Sequence, residues 1–298
     1  MSVIQDTNPT QERKKVTTRL IQAMKTRHEP ISMLTAYDYP TALVMDQAGM
    51  DMILVGDSLG MVMLGYDSTL PVTMDEMIHH SKAVARGAKY ALLVGDMPFM
   101  SYQASTGEAV KNAGRFLQEA GMNAVKLEGG AEMADRMAGI AHCGIPVMGH
   151  LGLTPQSVSA LGGFRVQGKD AARAKKIVDD AQALEEAGAF SILLEMVPDR
   201  VCELITERAG IPIISLGSGP YAHGQLLIFH DMFGLYPRFK PKMAKVYCNA
   251  GEVILNGLQQ YVAEVTGRQF PQPENWFGLK DEQFDELKRM LDKDTVTG

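Results

Sequence analysis

Eight short apolar runs, each of four to seven residues, dominate this sequence. Most are followed by an amphipathic, Ala-rich stretch long enough for a helix, and that alternation restricts the fold more than any other feature. A strand that returns repeatedly through a crossover helix builds a parallel sheet. The runs are ISMLTAY (Ile31–Tyr37), MILV (Met52–Val55), YALLVG (Tyr90–Gly95), NAVKL (Asn123–Leu127), PVMGH (Pro146–His150), SILLE (Ser191–Glu195), PIISLG (Pro212–Gly217) and LLIFH (Leu226–His230). Between them lie stretches such as TGEAVKNAGRFLQEAG and KDAARAKKIVDDAQALEEAG, several closing on the Gly that favours a helix C-terminus. Eight such units in 298 residues fit an α/β fold, the TIM (β/α)8 barrel.

The flanks extend that plan. VTTRLIQAMK (Val16–Lys25) predicts an N-terminal helix capped by Thr17 or Thr18, and GEVILNGLQQYVAEVTG predicts a helix after the eighth strand. From Arg268 the chain shifts to Pro and charge before a weakly amphipathic C-terminal helix, with Trp276 and Phe277 as anchors on the barrel or on a neighbouring subunit. The expected organisation is one domain over 1–298: a polar tail at 1–15, the barrel at about 30–267 and a helical extension at 268–298.

A net charge of -6 and a pI near 5.7 argue against a nucleic-acid or membrane-surface binder, which needs a basic face. The basic run ERKK (Glu12–Lys15) is expected to be solvated tail. No run approaches the roughly 20 apolar residues of a membrane span, and the first residues lack the apolar segment of a signal peptide. Cys143, Cys202 and Cys248 are far apart, without metal or redox spacing. A cytoplasmic protein is expected.

A barrel of this kind carries its active site at the C-terminal ends of its strands. The residues there are Asp38, Asp57, Asp96, Lys126 with Glu128, His150, Glu195, the GSG turn at 217–219, and His230 with Asp231. Asp57, Asp96 and Glu128 occupy equivalent places in successive units. Any one of them could be a helix cap or the partner of a nearby lysine. Three carboxylates at one mouth repel unless a cation or shared protons intervene, and hard oxygen donors without paired His or Cys favour Mg2+ over Zn2+.

Lys126 stands two residues before Glu128, on the same side of an extended strand. It is either a Schiff-base nucleophile or a fixed charge for a carboxylate or enolate oxygen; neighbouring acids favour the second role. Glu195 lies between apolar residues, so desolvation would raise its pKa toward that of a general base. The alternative is a buried Glu paired with a basic residue. His150 is a candidate hydrogen-bond donor to substrate, as readily a structural His. No nucleotide-binding glycine signature precedes a helix.

At these residues the sequence resembles the ketopantoate hydroxymethyltransferase family. The matching stretches include MLTAYDYPTA from Met33, LVGDSLGMV from Leu54, DMPFMSY from Asp96, VKLEGG from Val125, PVMGHLGLTPQS from Pro146, LEMVP from Leu194 and GQLLIFHDMFGL from Gly224. The resemblance implies a TIM barrel related to phosphoenolpyruvate mutase and isocitrate lyase, assembled as a homo-oligomer, usually a decamer. It implies transfer of a hydroxymethyl group from 5,10-methylenetetrahydrofolate to 2-oxoisovalerate, with Mg2+ (or Mn2+ or Co2+) as cofactor. Carried over by motif, Asp57 and Asp96 are metal ligands, and Glu128 completes the metal site. Asp57, Ser58, Asp96 and Lys126 contact the keto acid, and Glu195 accepts the C3 proton.

Two rival readings remain at this stage. A C-C lyase of the related superfamily would carry a KKCGH loop, which this sequence lacks. A non-catalytic relative would not need the acids kept here. One position departs from the family pattern: AHGQ places His223 where an Asp usually precedes the Gly-Gln of the eighth unit. That change is expected to touch folate contacts, loop order or subunit packing rather than the chemistry.

Overall fold

The computed structural model describes residues 13–238 and 241–294. The chain divides into two compact units, Met1–Cys248 and Asn249–Gly298. The first holds eight strands: β1 (Ile31–Thr35), β2 (Met52–Val55), β3 (Leu92–Asp96), β4 (Ala124–Glu128), β5 (Val147–Gly152), β6 (Ser191–Glu195), β7 (Ile213–Leu216) and β8 (Gly224–Leu227). Each pairs in parallel with the next, and β8 pairs with β1, closing the barrel.

Among the described residues ten α-helices accompany the strands in this unit: α1 (Thr18–Thr26), α2 (Tyr39–Gln47), α3 (Leu59–Val62), α4 (Met74–Gly87), α5 (Thr106–Ala120), α6 (Ala134–His142), α7 (Val158–Leu161), α8 (Ala171–Glu186), α9 (Asp199–Arg208) and α10 (Phe229–Met232). Thr17 caps α1, its side chain accepting the Leu20 N–H. The second unit consists of α11 (Ala250–Thr266), which forms where the sequence pattern placed it, and α12 (Asp281–Asp294), with a short 3-10 turn between. No helix of the described residues is long and apolar enough to cross a membrane.

The twofold repeat of a strand separates two cores. Met33, Met52, Leu54, Leu92, Val94, Met148, Leu193, Ile214 and Leu226 fill the barrel interior together with Ile21 and Met24 of α1. Leu34, Ile53, Leu93, Val125, Val147, Ile192 and Ile213 point outward and pack with helical residues such as Met45, Met77, Phe116, Ile140 and Leu184. The parity that turns Leu92 and Val94 inward also turns Asp96 inward. The same holds for Lys126 and Glu128 after Ala124, for His150 after Met148, and for Glu195 after Leu193.

The N-terminal end of the barrel is tied by acceptors that stand just before even-numbered strands. Asp51 accepts the Ser32 N–H at 2.9 Å, Asn123 the Leu93 N–H at 3.0 Å and His223 the Ile213 N–H at 3.1 Å. Asp46, buried at the end of α2, accepts the N–H groups of Lys89, Tyr90 and Ala91. The basic run expected to be solvated joins this end as well. Arg13 donates to the carbonyls of Asp46 and Met50, and Lys15 Nζ donates to that of Ala91 at 2.7 Å, while Lys14 is exposed. Residues 1–12 of the expected tail lie outside the described residues.

One expectation needs correction. The eighth strand is not LLIFH but Gly224–Leu227, and Phe229 already opens α10. The strand begins on a glycine because a Cβ at position 224 would fall 2.5 Å from the Ile31 carbonyl oxygen, which an apolar-run reading does not anticipate. His223 therefore lies at the N-terminal end of the barrel, away from the strand ends that carry the acids. There its imidazole Nδ1 supplies an acceptor, as an Asp oxygen would.

Accepting an N–H requires that nitrogen to be unprotonated. Burial, with Lys25 and His28 nearby, pushes the His223 pKa down to about 4. The folded state then binds fewer protons than the unfolded chain between that value and the ordinary histidine value of about 6.5. The stabilisation is complete above about pH 6.5 and is lost as pH falls toward 4. His223→Asn keeps an acceptor that does not titrate. Thermal unfolding from pH 7.5 to 5 should show the variant losing less stability than the parent by about 1 kcal/mol, reduced from the full linkage value because the ring is half solvated. Parallel Tm curves would refute this account of the substitution.

Candidate active site

The strand ends place Asp57, Ser58, Asp96, Lys126, Glu128, His150 and Glu195 around one cavity of about 310 Å3. Asp231 is in its wall as well, whereas Asp38, the GSG turn and His230, which also follow strands, are not; Asp38 instead caps α2, accepting the Thr41 N–H at 2.8 Å. Leu54, Met61, Val62, Leu193, Leu216 and Leu226 supply an apolar side. Strand register explains the convergence, since Asp96 pairs with Lys126, Glu128 with His150, and Gly152 with Glu195.

Lys126, 2% exposed, is the cation among these acids. Its Nζ lies 2.8 Å from Asp96 Oδ1 and 3.8 Å from Glu128 Oε1. Burial works against the ammonium, but Asp96, Glu128 and Asp57 outweigh it and hold the pKa above the usual lysine range. An amine kept protonated is a poor nucleophile, so the geometry favours a fixed charge over a Schiff base.

The same crowding acts oppositely on the acids. Burial, then the charges of Asp96 and Glu128, hold the Asp57 carboxyl well above the ordinary range, with Lys126 and Gln156 opposing. Burial pushes Glu128 up to about 7 against the pull of Lys126. If all ionise, Asp57, Asp96 and Glu128 leave two negative charges beyond what Lys126 balances. Two of their oxygens, Asp96 Oδ1 and Glu128 Oε1, are buried without a hydrogen-bond partner; Lys126 approaches the first at short distance but outside hydrogen-bond directionality. Among the described residues no group of three or more His, Cys, Asp and Glu side chains is arranged to hold a metal as it stands. Excess negative charge and orphaned carboxylate oxygens nevertheless suit a hard divalent cation.

His150 joins this corner to Glu195. Lys126 Nζ donates to His150 Nδ1 at 3.1 Å, which leaves the ring proton on Nε2, and Nε2 lies 3.1 Å from Glu195 Oε2. Burial, with Lys126 beside it, lowers the His150 pKa and keeps the ring neutral. Burial raises the Glu195 carboxyl above its ordinary value against the opposing contact with His150. Gly152 allows this approach: its φ is +92°, and a Cβ would fall 2.2 Å from the Glu195 carbonyl oxygen. The expectation of a desolvated carboxylate at Glu195 is met, and its partner is a neutral His.

Some participants carried no sequence signal. Tyr37 OH lies 2.8 Å from Ser58 Oγ and orients it. Gln156 Nε2 donates to Asp57 Oδ2 at 2.9 Å, and its backbone N–H donates to Glu128 Oε2 at 3.0 Å. Tyr102 OH donates to Gln156 Oε1 at 2.8 Å. Gln156 stands in the quoted HLGLTPQS, but an uncharged amide in a turn looks like any loop residue.

Comparisons with known proteins identify the family. The family model for ketopantoate hydroxymethyltransferase matches residues 15–273. A 3-methyl-2-oxobutanoate hydroxymethyltransferase of Carboxydothermus hydrogenoformans is 55% identical over 268 residues, covering 90% of this chain and 97% of that protein. One from Syntrophomonas wolfei is 54% identical over 273 residues, covering 92% and 99%. Among solved structures, an oxaloacetate acetylhydrolase superposes with a TM-score of 0.58 at 13% identity, covering 96% of this chain and 100% of that one, a likeness of fold alone. With the family model spanning most of the chain and relatives above half identical along nearly their whole length, the chain belongs to the ketopantoate hydroxymethyltransferase family.

Proposed function

We propose that this chain is a 3-methyl-2-oxobutanoate hydroxymethyltransferase. It moves a hydroxymethyl group from 5,10-methylenetetrahydrofolate to 3-methyl-2-oxobutanoate (2-oxoisovalerate) and so forms ketopantoate, the first committed step of pantothenate biosynthesis. The reaction is that of the relatives' name. The observation that carries it is the placement of Glu195 on the far side of the His150 ring from the acid corner, with both facing one cavity. Enolisation needs this separation, with positive charge at the carbonyl oxygen and a base at the adjacent carbon.

Asp57, Asp96 and Glu128 are the residues that would hold a divalent cation, Mg2+ or its substitutes Mn2+ and Co2+, which when bound supplies Lewis-acid polarisation of a carbonyl. The Lys126 ammonium stabilises negative charge as it develops on the enolate oxygen. Ser58, oriented by Tyr37, donates to the carboxylate of the keto acid. The apolar side formed by Met61, Val62, Leu193 and Leu226 receives the isopropyl group. His150 Nε2 stands 3.1 Å from Glu195 Oε2 without a directed hydrogen bond to it, and the Glu195 carboxylate takes the C3 proton. Water adds to the folate methylene as its two C–N bonds break, and the enolate carbon bonds to that carbon in an aldol-type addition, the new alkoxide taking a proton and tetrahydrofolate leaving. The acidic composition and scattered cysteines support a cytoplasmic location.

The step assigned to Glu195 is separable from folate. In D2O with divalent metal and no folate, the C3 proton of 3-methyl-2-oxobutanoate should exchange, as followed by proton NMR. Glu195→Gln should slow that exchange by about 10²–10⁴-fold, the usual contribution of a general base; exchange at the parental rate would remove Glu195 from the role. The acidic limb of the exchange rate should fall above the ordinary glutamate pKa of about 4.3, because burial raises this carboxyl.

Removing metal with a chelator should abolish exchange and turnover, and Mg2+, Mn2+ or Co2+ should restore both. Activity that persists without metal would overturn the assignment of the acid corner. The decamer expected from the family resemblance is supported by the apolar surface that α11 exposes at Ile254, Leu258 and Val262. Light scattering should give a mass several times the 32.5 kDa of one chain, and a monomer at working concentration would exclude it.

A further inference from the structure

We infer that Gln156 is a positioning residue that aims the acid corner at its cation. The inference rests on the reading of Asp57, Asp96 and Glu128 as the residues that hold the metal. Each of those carboxylates has one oxygen fixed by an uncharged N–H. Gln156 Nε2 holds Asp57 Oδ2 at 2.9 Å, the Asp57 N–H holds Asp96 Oδ2 at 3.0 Å, and the Gln156 N–H holds Glu128 Oε2 at 3.0 Å. Asp96 Oδ1 and Glu128 Oε1 have no hydrogen bond, although the Lys126 ammonium stands 2.8 Å from the first and 3.8 Å from the second. Gln156 thus restrains two of the three acids directly, and Asp57 passes the restraint to the third.

The amide can do this in one orientation only. Its two N–H groups go to Asp57 Oδ2 and to the Met97 carbonyl, both at 2.9 Å, and its oxygen accepts from Tyr102 OH at 2.8 Å and Gln103 Nε2 at 3.1 Å. Every hydrogen-bonding valence of the amide is used. Reversing it would set an oxygen against a carboxylate and a carbonyl, which both only accept. Gln156 is 4% exposed, so water cannot substitute for these partners without opening the site. A neutral donor also suits the task, because an Arg or Lys in its place would fix Asp57 while competing with the cation for its charge.

The effect should appear in metal affinity before it appears in turnover. In the full-length, chelator-treated protein, free Mn2+ is titrated by electron paramagnetic resonance without substrate. Gln156→Met, similar in size and unable to hydrogen-bond, should weaken Mn2+ binding by about 10–100-fold, the usual effect of losing a residue that orients a ligand. In the assay the activating Mn2+ concentration should rise in parallel, by a larger factor than kcat at saturating Mn2+ falls. Tyr102→Phe removes the hydroxyl that bonds Gln156 Oε1 and the backbone of Glu128 but leaves both Gln156 N–H donors in place, and should change Mn2+ affinity less. If the Met variant does not fold, as judged by circular dichroism, Gln156→Asn carries the test, since it withdraws the amide from Asp57 by one methylene. A folded Gln156 variant with parental Mn2+ affinity, beside an Asp57→Asn variant that has lost it, overturns the positioning role. Parental affinity in Asp57→Asn instead overturns the cation reading beneath it.

Discussion

Negative charge gathered in a nearly dry cavity must be balanced where it stands, and that requirement organises the mouth of this barrel. Three carboxylates at the ends of β2, β3 and β4 face one ammonium, that of Lys126, with Asp96 Oδ1 at 2.8 Å. An unpaired ammonium at this depth would cost several kcal/mol. Among acids it stays charged, and its protonation determines what lies beyond it. Because Lys126 donates to His150 Nδ1, the neutral ring carries its proton on Nε2, which lies 3.1 Å from Glu195 Oε2. One buried charge therefore sets the state of a neighbour on each side.

The opposite end of the barrel solves a simpler problem with similar means. Parallel strands begin with N–H groups that the ladder does not satisfy, and buried donors left alone cost about 1–3 kcal/mol each. Asp51, Asn123 and His223 close three of these positions, and Asp46 closes three more N–H groups where α2 meets the start of β3. His223 can replace a carboxylate here because the position needs an acceptor and not a charge. His223 thus makes this rim sensitive to pH, at the end of the barrel remote from the acid corner.

The charged part of the site was legible in the sequence because it follows from periodicity. Once a strand is recognised, alternation puts Asp96, Lys126, Glu128, His150 and Glu195 on the inner face, and the strand order makes them neighbours. The neutral part was not legible. Gln156, Tyr102 and Tyr37 act through single hydrogen bonds that no spacing announces, and Gln156 reaches Asp57 across 99 positions of the chain. The eighth strand was displaced for a related reason. Its first residue, Gly224, is needed for what passes beside it, the Ile31 carbonyl, and not for its own hydropathy.

By itself the sequence determined the alternation of strands and helices, the number of barrel units, the family and the charged residues of the mouth, because these depend on local period and residue type. Tertiary structure alone decided which nitrogen of His150 carries the proton, which oxygens of Asp57, Asp96 and Glu128 are held by N–H donors, and which have no hydrogen bond. Those outcomes depend on distances of about 3 Å between segments remote in the chain, where hydrogen-bond direction and loss of solvent, rather than composition, set the energy.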